Sequence, residues 1–265
     1  MHRLPVGDGH VMHVEEHGNP AGLPLLLLHG GPGSGSSPAL RLGVDAERYR
    51  MLCPDQRGAG QSTPRGGIEA NTLAHLLADL RLLRAHLHIE RWLVAGGSWG
   101  ATLALLHAVD APEAVSGLVL RNPFLARAED MAAFFAAAGF PLPVTVDRDA
   151  ALRWWQAEQR LAGGQPGSPP DEARLVDRYR VQSHFLQNRC WLRQRTLLER
   201  CAALPAIPIV IVQGSEDAIC PPAGARALAQ ALGERASLRM AQGAGHDPTH
   251  PALVEAMRQA LTPAA

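Results

Sequence analysis

Short apolar runs bounded by glycine and proline alternate along this chain with longer segments whose apolar residues recur at helical spacing. The runs at 10–16, 24–29, 49–54, 91–95, 115–120, 207–212 and 236–240 are too short for stable helices and suit strands, most of them buried. Residues 71–86 place Leu73, Leu76, Leu77, Leu80, Leu83 and Leu87 on one side of a helix. Further helices are expected directly after position 98, from about 223 and from about 251. Gly7-Asp8-Gly9 reads as a turn.

Strands that alternate with helices imply an α/β fold, with a mainly parallel sheet covered on both faces. Ligands in that architecture collect at the carboxyl ends of the strands. Gly30-Gly31, Ser98, Asp217 and His246 each follow a predicted strand, so all are expected on one sheet edge. The stretch 124–200 differs. It holds all five phenylalanines, three of the five tryptophans and Tyr179, with helical segments near 149–161 and 171–200 and a glycine- and proline-rich loop over 163–170 between them. It reads as a helical cap inserted into a core domain made of 1–123 and 201–265.

The richest chemistry lies at Gly96-Gly97-Ser98-Trp99-Gly100, a G-x-S-x-G between an apolar strand and an apolar helix. A serine lifted above a sheet on a sharp turn needs small neighbours, and the helix start aims N–H groups at developing negative charge. Serine is a weak nucleophile until a base removes its proton. In this fold the partners follow in the order serine, acid, base. Asp217, with Glu216 as runner-up, supplies the acid, and His246 in Gly243-Ala244-Gly245-His246 supplies the base. Gly30 and Gly31 in His29-Gly30-Gly31-Pro32-Gly33 let the backbone approach a substrate carbonyl; Gly31 and Trp99 N–H groups are the expected oxyanion donors. His29 reads as structural. In Asp55-Gln56-Arg57-Gly58-Ala59-Gly60-Gln61-Ser62 an Asp–Arg pair is expected to pin a glycine-rich loop.

Composition narrows the partners. The 265 residues carry 25 basic and 25 acidic side chains, and every basic one is arginine. That balance gives no support to nucleic-acid or membrane-surface binding and leaves a small molecule or short peptide as the expected partner. The four cysteines (Cys53, Cys190, Cys201 and Cys220) have no ligand-like spacing, and no H-E-x-x-H pattern occurs, so neither a metal nor another cofactor is expected. Cys220 stands three residues from Asp217, where alkylation would disturb the acid loop. Of the other histidines, His184 and His250 are expected nearest the site, and His10, His13 and His107 at surface positions. The start of the chain lacks the apolar core of a signal peptide, and no run approaches the ~18 apolar residues of a membrane span, so a cytoplasmic protein is expected.

Together HGGPG (29–33), DQRGAGQS (55–62), GGSWG (96–100), GSEDAICPP (214–222) and GAGH (243–246) resemble the prolyl aminopeptidase (proline iminopeptidase) family of α/β-hydrolases. The resemblance implies Ser98, Asp217 and His246 as triad, Gly31 and Trp99 as oxyanion donors, and release of an N-terminal proline through an acyl-enzyme. The cap departs from that pattern. In the family a cap glutamate helps to recognise the free α-amino group; Gln182 stands in its place in Arg180-Val181-Gln182-Ser183-His184-Phe185. A W-x-x-W-E pattern is half kept as Trp154-Trp155-Gln156-Ala157-Glu158, which leaves Glu158 as either an anionic contact or a solvated helix residue. The family's arginine-glycine turn becomes Arg121-Asn122-Pro123. Trp154, Glu158, Gln182 and Phe185 are the cap's candidate substrate contacts. An esterase, lactonase, amidase or acyltransferase acting on a small apolar substrate without a free amine stays open, as does a non-catalytic binding protein of the same fold.

Overall fold

The leucine run of β3 (Leu23–Leu28) lies inside the sheet, between β4 (Tyr49–Pro54) and β5 (Trp92–Gly97), both parallel to it. Leu25 and Leu27 point to one face and Leu26 and Leu28 to the other, and all four are excluded from solvent. Burial on both faces is why this strand reads as a continuous apolar run rather than an alternating one. Each such leucine contributes roughly 1.5–3 kcal/mol of burial free energy. The computed structural model describes residues 1–143, 145–163 and 171–262. Most of the loop expected over 163–170 therefore lies outside the described residues.

The sheet has eight strands. From β5 it continues, all parallel, through β6 (Val115–Arg121), β7 (Ile209–Gly214) and β8 (Ala236–Ala241). On the other side β4 pairs antiparallel with β2 (His10–Gly18), which pairs antiparallel with β1 (His2–Gly7) at the edge. The parallel strands come from the expected runs; β1 is an addition to them.

One face of the sheet packs against α1 (Leu73–His86), α2 (Trp99–Asp110) and α7 (Pro222–Leu232), the other against α8 (Pro251–Leu261). Helix α1 buries Leu73, Leu76, Leu80 and Leu83, as its spacing predicts, and Thr72 caps its start. His10, His13 and His107 are buried, not at the surface as expected. His107 accepts the indole N–H of Trp92 at 3.1 Å, and burial pushes its imidazole down to about 4, so it stays neutral.

Between β6 and β7 the chain forms α3 (Ala128–Ala138), α4 (Arg148–Ala162), α5 (Glu172–Gln187) and the single turn α6 (Leu197–Arg200). Phe135, Trp154, Trp155, Leu175 and Tyr179 make a separate apolar cluster between α3, α4 and α5. The helix expected over 171–200 stops at Gln187, because Arg189, Cys190 and Trp191 all take positive φ and turn the chain back onto the main core. Among the described residues no helix is long and apolar enough to cross a membrane.

Candidate active site

Ser98 sits at the turn from β5 into α2 with φ 55° and ψ −121°, a conformation an L-residue seldom takes. Small residues make the turn possible. A Cβ on Gly96 would lie 2.3 Å from Gly100 O, and one on Gly100 would lie 2.1 Å from Leu28 O. The Ser98 N–H donates to Arg121 O at 2.9 Å, which ties the turn to the end of β6. The serine is thus held above the carboxyl edge of the sheet at the start of α2, where the helix dipole favours negative charge.

His246 arrives on the loop after β8 and Asp217 on the loop after β7. Asp217 Oδ2 lies 2.7 Å from His246 Nδ1, while Oδ1 accepts the N–H groups of Ile219 and Cys220, each at 2.8 Å. Glu216, the alternative acid, is exposed. The Ser98 hydroxyl lies 3.8 Å from Cys220 Sγ, and among the described hydrogen bonds none joins it to His246. Both side chains line the same cavity, of about 400 Å³. In free enzymes such a contact is often long and tightens only with substrate.

The turn 29–31 forms the opposite wall. A Cβ on Gly30 would lie 3.0 Å from Gly97 O and 3.2 Å from Ser98 Cβ, so a side chain there would press on the serine turn. Gly31 takes φ +53°. Among the described residues no acceptor stands against the N–H of Gly31 or of Trp99. Gln56 locks this wall in place. Its N–H donates to His29 Nε2 at 3.0 Å, its amide Nε2 donates to His29 O at 3.1 Å, and its Oε1 accepts the Trp99 indole N–H at 2.8 Å. Burial holds the His29 imidazole below its ordinary pKa, so its neutral ring serves as an acceptor in the scaffold.

The expected Asp–Arg pin of this segment is not made within the loop. Asp55 instead accepts the N–H groups of Ser36 at 2.6 Å and Gln61 at 2.7 Å, and Arg57 pairs with Asp79 at 2.8 Å and Asp8 at 3.1 Å. The guanidinium two residues on is outcompeted for the Asp55 carboxylate by backbone donors of the turn that Asp55 closes.

Asn122 was legible only as a departure from a family turn, yet it joins the two loops that carry Asp217 and His246. Its Oδ1 accepts Gly214 N–H at 2.8 Å and its Nδ2 donates to Gly245 O at 3.1 Å. Asn122→Ala leaves both backbone groups buried and unpaired, and we expect a stability loss on the order of 2–4 kcal/mol. Urea unfolding measures it; kcat should fall more than KM rises, since the change acts on the His246 loop.

Helices α3, α4 and α5 line one side of the cavity. The Ala162 carbonyl at the end of α4 accepts the N–H of His246 at 3.0 Å and of Asp247 at 3.3 Å, so α4 touches the loop that carries His246 directly. Trp154, Glu158 and Gln182 line the cavity, with Phe134, Phe135 and Met131 on its apolar side. Glu158 is no solvated residue. It accepts Arg178 Nη2 at 2.6 Å, Tyr179 OH at 2.9 Å and Gln182 Nε2 at 2.9 Å. Burial raises the Tyr179 hydroxyl well above its ordinary pKa, so it remains a donor. Phe185 is not on the cavity wall. It is fully buried behind it, 5.1 Å from the Trp99 ring and 5.0 Å from Trp191. His184 and His250 are likewise elsewhere: His184 bonds Asn71 O at 3.0 Å and His250 caps α8, while His29 is the further histidine that reaches the cavity.

Cys220 is buried, and burial, reinforced by Asp217, raises its thiol pKa, so it is a poor target for alkylation. Among the described residues no group of three or more His, Cys, Asp and Glu side chains is placed to hold a metal ion.

The α/β-hydrolase fold family matches residues 24–250. A proline iminopeptidase of Neisseria meningitidis is 36% identical, over 97% of this chain and 94% of its own. One from Arabidopsis thaliana is 35% identical, over 94% of this chain and 76% of its own. The crystal structure of a proline iminopeptidase-related protein from Thermus thermophilus superposes with a TM-score of 0.71 at 27% identity, over 98% of this chain and 96% of the other. On these matches the chain belongs to the α/β-hydrolases and, among them, to the family of the proline iminopeptidases.

Proposed function

We propose that this protein is a serine hydrolase that releases an N-terminal proline, or a residue of similar size, from short peptides and amides. The observation that carries the reading is the Asp217–His246 pair at 2.7 Å, which lines one cavity with Ser98. Ser98 attacks the scissile carbonyl as His246 takes its proton. Asp217 holds the imidazole tautomer and stabilises the imidazolium. Gly31 and Trp99 N–H groups receive the oxyanion; each such donor is worth roughly 3–4 kcal/mol in the transition state. His246 then gives the proton to the departing amine. Water, activated by the same base, releases the acid.

The cavity supports a compact substrate. About 400 Å³ admits one ring-sized acyl group and a short leaving group, not a long polymer. We read 1–123 with 201–265 as the catalytic core and 124–200 as the cap; the separate apolar cluster of α3, α4 and α5 supports that division, although the segment from Phe185 onward packs with the main core. The four free, buried thiols support a reducing compartment and hence the cytoplasm.

A second reading, in which the acyl group needs no free amine, is favoured by one observation: Glu158 is already paired with Arg178 at 2.6 Å. The test is a pair of measurements on the purified chain. Proline p-nitroanilide should be hydrolysed, and an aryl phosphonate should label Ser98, as seen by mass spectrometry of the peptide that carries it. Labelling without turnover of any prolyl amide would leave a hydrolase of another acyl class; absence of both would sink the reading.

A further inference from the structure

Two arginines line the cavity, Arg121 and Arg178. Arg178 is paired with Glu158 at 2.6 Å. Among the described residues the Arg121 side chain makes no hydrogen bond and no ion pair, and none of its nitrogens is sealed from water. The carboxylates whose charge acts on it are bonded elsewhere. Asp217 holds His246 and accepts the N–H groups of Ile219 and Cys220, and Asp247 accepts the N–H and the hydroxyl of Thr249. Burial pulls the Arg121 guanidinium down to about 10, which still leaves it charged at neutral pH. A largely desolvated cation without a partner is costly, and an anion that reaches it offsets that cost.

The position of Arg121 says which part of a substrate would carry the anion. Val119, two residues earlier on β6, packs in the cluster under α8, so Arg121 projects on that side of the sheet, opposite α2 and the Trp99 N–H. Its Nη2 occupies the space a Gly97 side chain would take, 2.2 Å from the Cβ position, one residue before Ser98. Beside Gly97 it also frames a small recess with Leu40 and Pro248. Asp247 and Pro248 directly follow His246 and line the cavity with it. Phe135 and Trp154, on α3 and α4, are the apolar wall left for an acyl group. The leaving nitrogen must meet His246, which protonates it. In a dipeptide the α-carboxylate lies two bonds beyond that nitrogen, toward the wall that Arg121 shares with the segment after His246.

We propose that Arg121 binds the α-carboxylate of the leaving amino acid, so that the enzyme favours dipeptides with a free C-terminus over the corresponding amides. This rests on the acyl-transfer reading above and adds a subsite to it. A guanidinium offers a carboxylate two parallel N–H donors, which fixes the leaving group as well as attracting it.

The experiment compares prolyl-alanine, prolyl-alaninamide and proline p-nitroanilide on the full chain. Prolyl-alanine should exceed its amide in kcat/KM by about tenfold or more, the effect of one charge-assisted pair in a partly buried site. Arg121→Gln should remove that advantage, with a fall of about tenfold for the dipeptide, mainly through KM, and of less than about threefold for the amide and the anilide. Arg121→Lys keeps the charge without the planar fork and should restore part of the ratio. If Arg121 only balances the charge of Asp217, the variants lower all three substrates alike, and that outcome overturns the proposal. Equal treatment of dipeptide and amide by the unaltered enzyme also overturns it, and that measurement needs no variant to fold. In both cases turnover of the anilide leaves the catalytic reading standing. If none of the three turns over, protection of Ser98 from the aryl phosphonate is measured with the same dipeptide and amide. Better protection by the dipeptide supports the subsite, and equal protection overturns it. Absence of labelling removes the catalytic reading and this inference together.

Discussion

Ser98→Ala should lower kcat on a prolyl anilide by roughly 10⁵–10⁶-fold, the loss seen when the nucleophile of a serine machine is removed. The remaining rate should come from the oxyanion donors and from binding. The fold should survive. Ser98 donates its backbone N–H to Arg121 O, and its hydroxyl makes no hydrogen bond to the sheet, so alanine removes only the contact with Cys220 at 3.8 Å. The turn at φ 55° is set by its glycine neighbours and is strained for serine and alanine alike. Circular dichroism and thermal unfolding should therefore match the parent while turnover disappears. Retention of even a hundredth of the activity would mean that another group attacks the carbonyl.

The parts of the fold legible in the sequence are those where burial is symmetrical. β3, β5 and β7 lie inside the sheet, and their apolar runs mark them. β1 is different. Its sequence HRLPVG carries a proline and only two buried side chains, and its pairing with β2 at the sheet edge comes from tertiary contact, not from its own pattern. Helix α3 was hidden for the opposite reason. AEDMAAFFAAA is apolar nearly all round, so no face stands out, and only Phe135 is buried. The early end of α5 depends on positive φ at Arg189, Cys190 and Trp191, residues with no local preference for that region.

At the site, legibility follows the kind of constraint. Ser98, Gly30, Gly31, Asp217 and His246 stand on loops whose glycines and order are imposed by backbone geometry, and such constraints show in one sequence. Asn122, Gln56 and Arg178 act through side-chain bonds between segments distant in the chain: Asn122 reaches Gly245, Gln56 reaches His29, and Arg178 reaches Glu158. No spacing announces bonds of that kind. Phe185 shows the same limit in reverse. It shares a helix with Gln182, and at i+3 it is expected on the same face, yet its ring packs against Trp99 behind the cavity wall.

Asp217→Asn should cost about 10⁴-fold in kcat with KM little changed, and the reason is a tautomer. Two backbone N–H groups, of Ile219 and Cys220, point at Oδ1 from 2.8 Å. An asparagine here must keep its carbonyl oxygen against those donors, since its NH₂ would face two N–H groups there. Its NH₂ is then turned to His246 Nδ1, 2.7 Å from the present Oδ2. A donor at that place forces Nδ1 to be an acceptor and leaves the imidazole proton on Nε2, the nitrogen that must be free to take the Ser98 proton. Volume and hydrogen-bond count hardly change, so stability should stay within about 1 kcal/mol while activity falls. Raising the pH favours no productive tautomer, because the neutral imidazole is already the blocked one, and the deficit should persist across the alkaline range. Recovery of activity at high pH would show that Asp217 acts only through its charge; a loss below tenfold at every pH would show that it does not orient His246 at all.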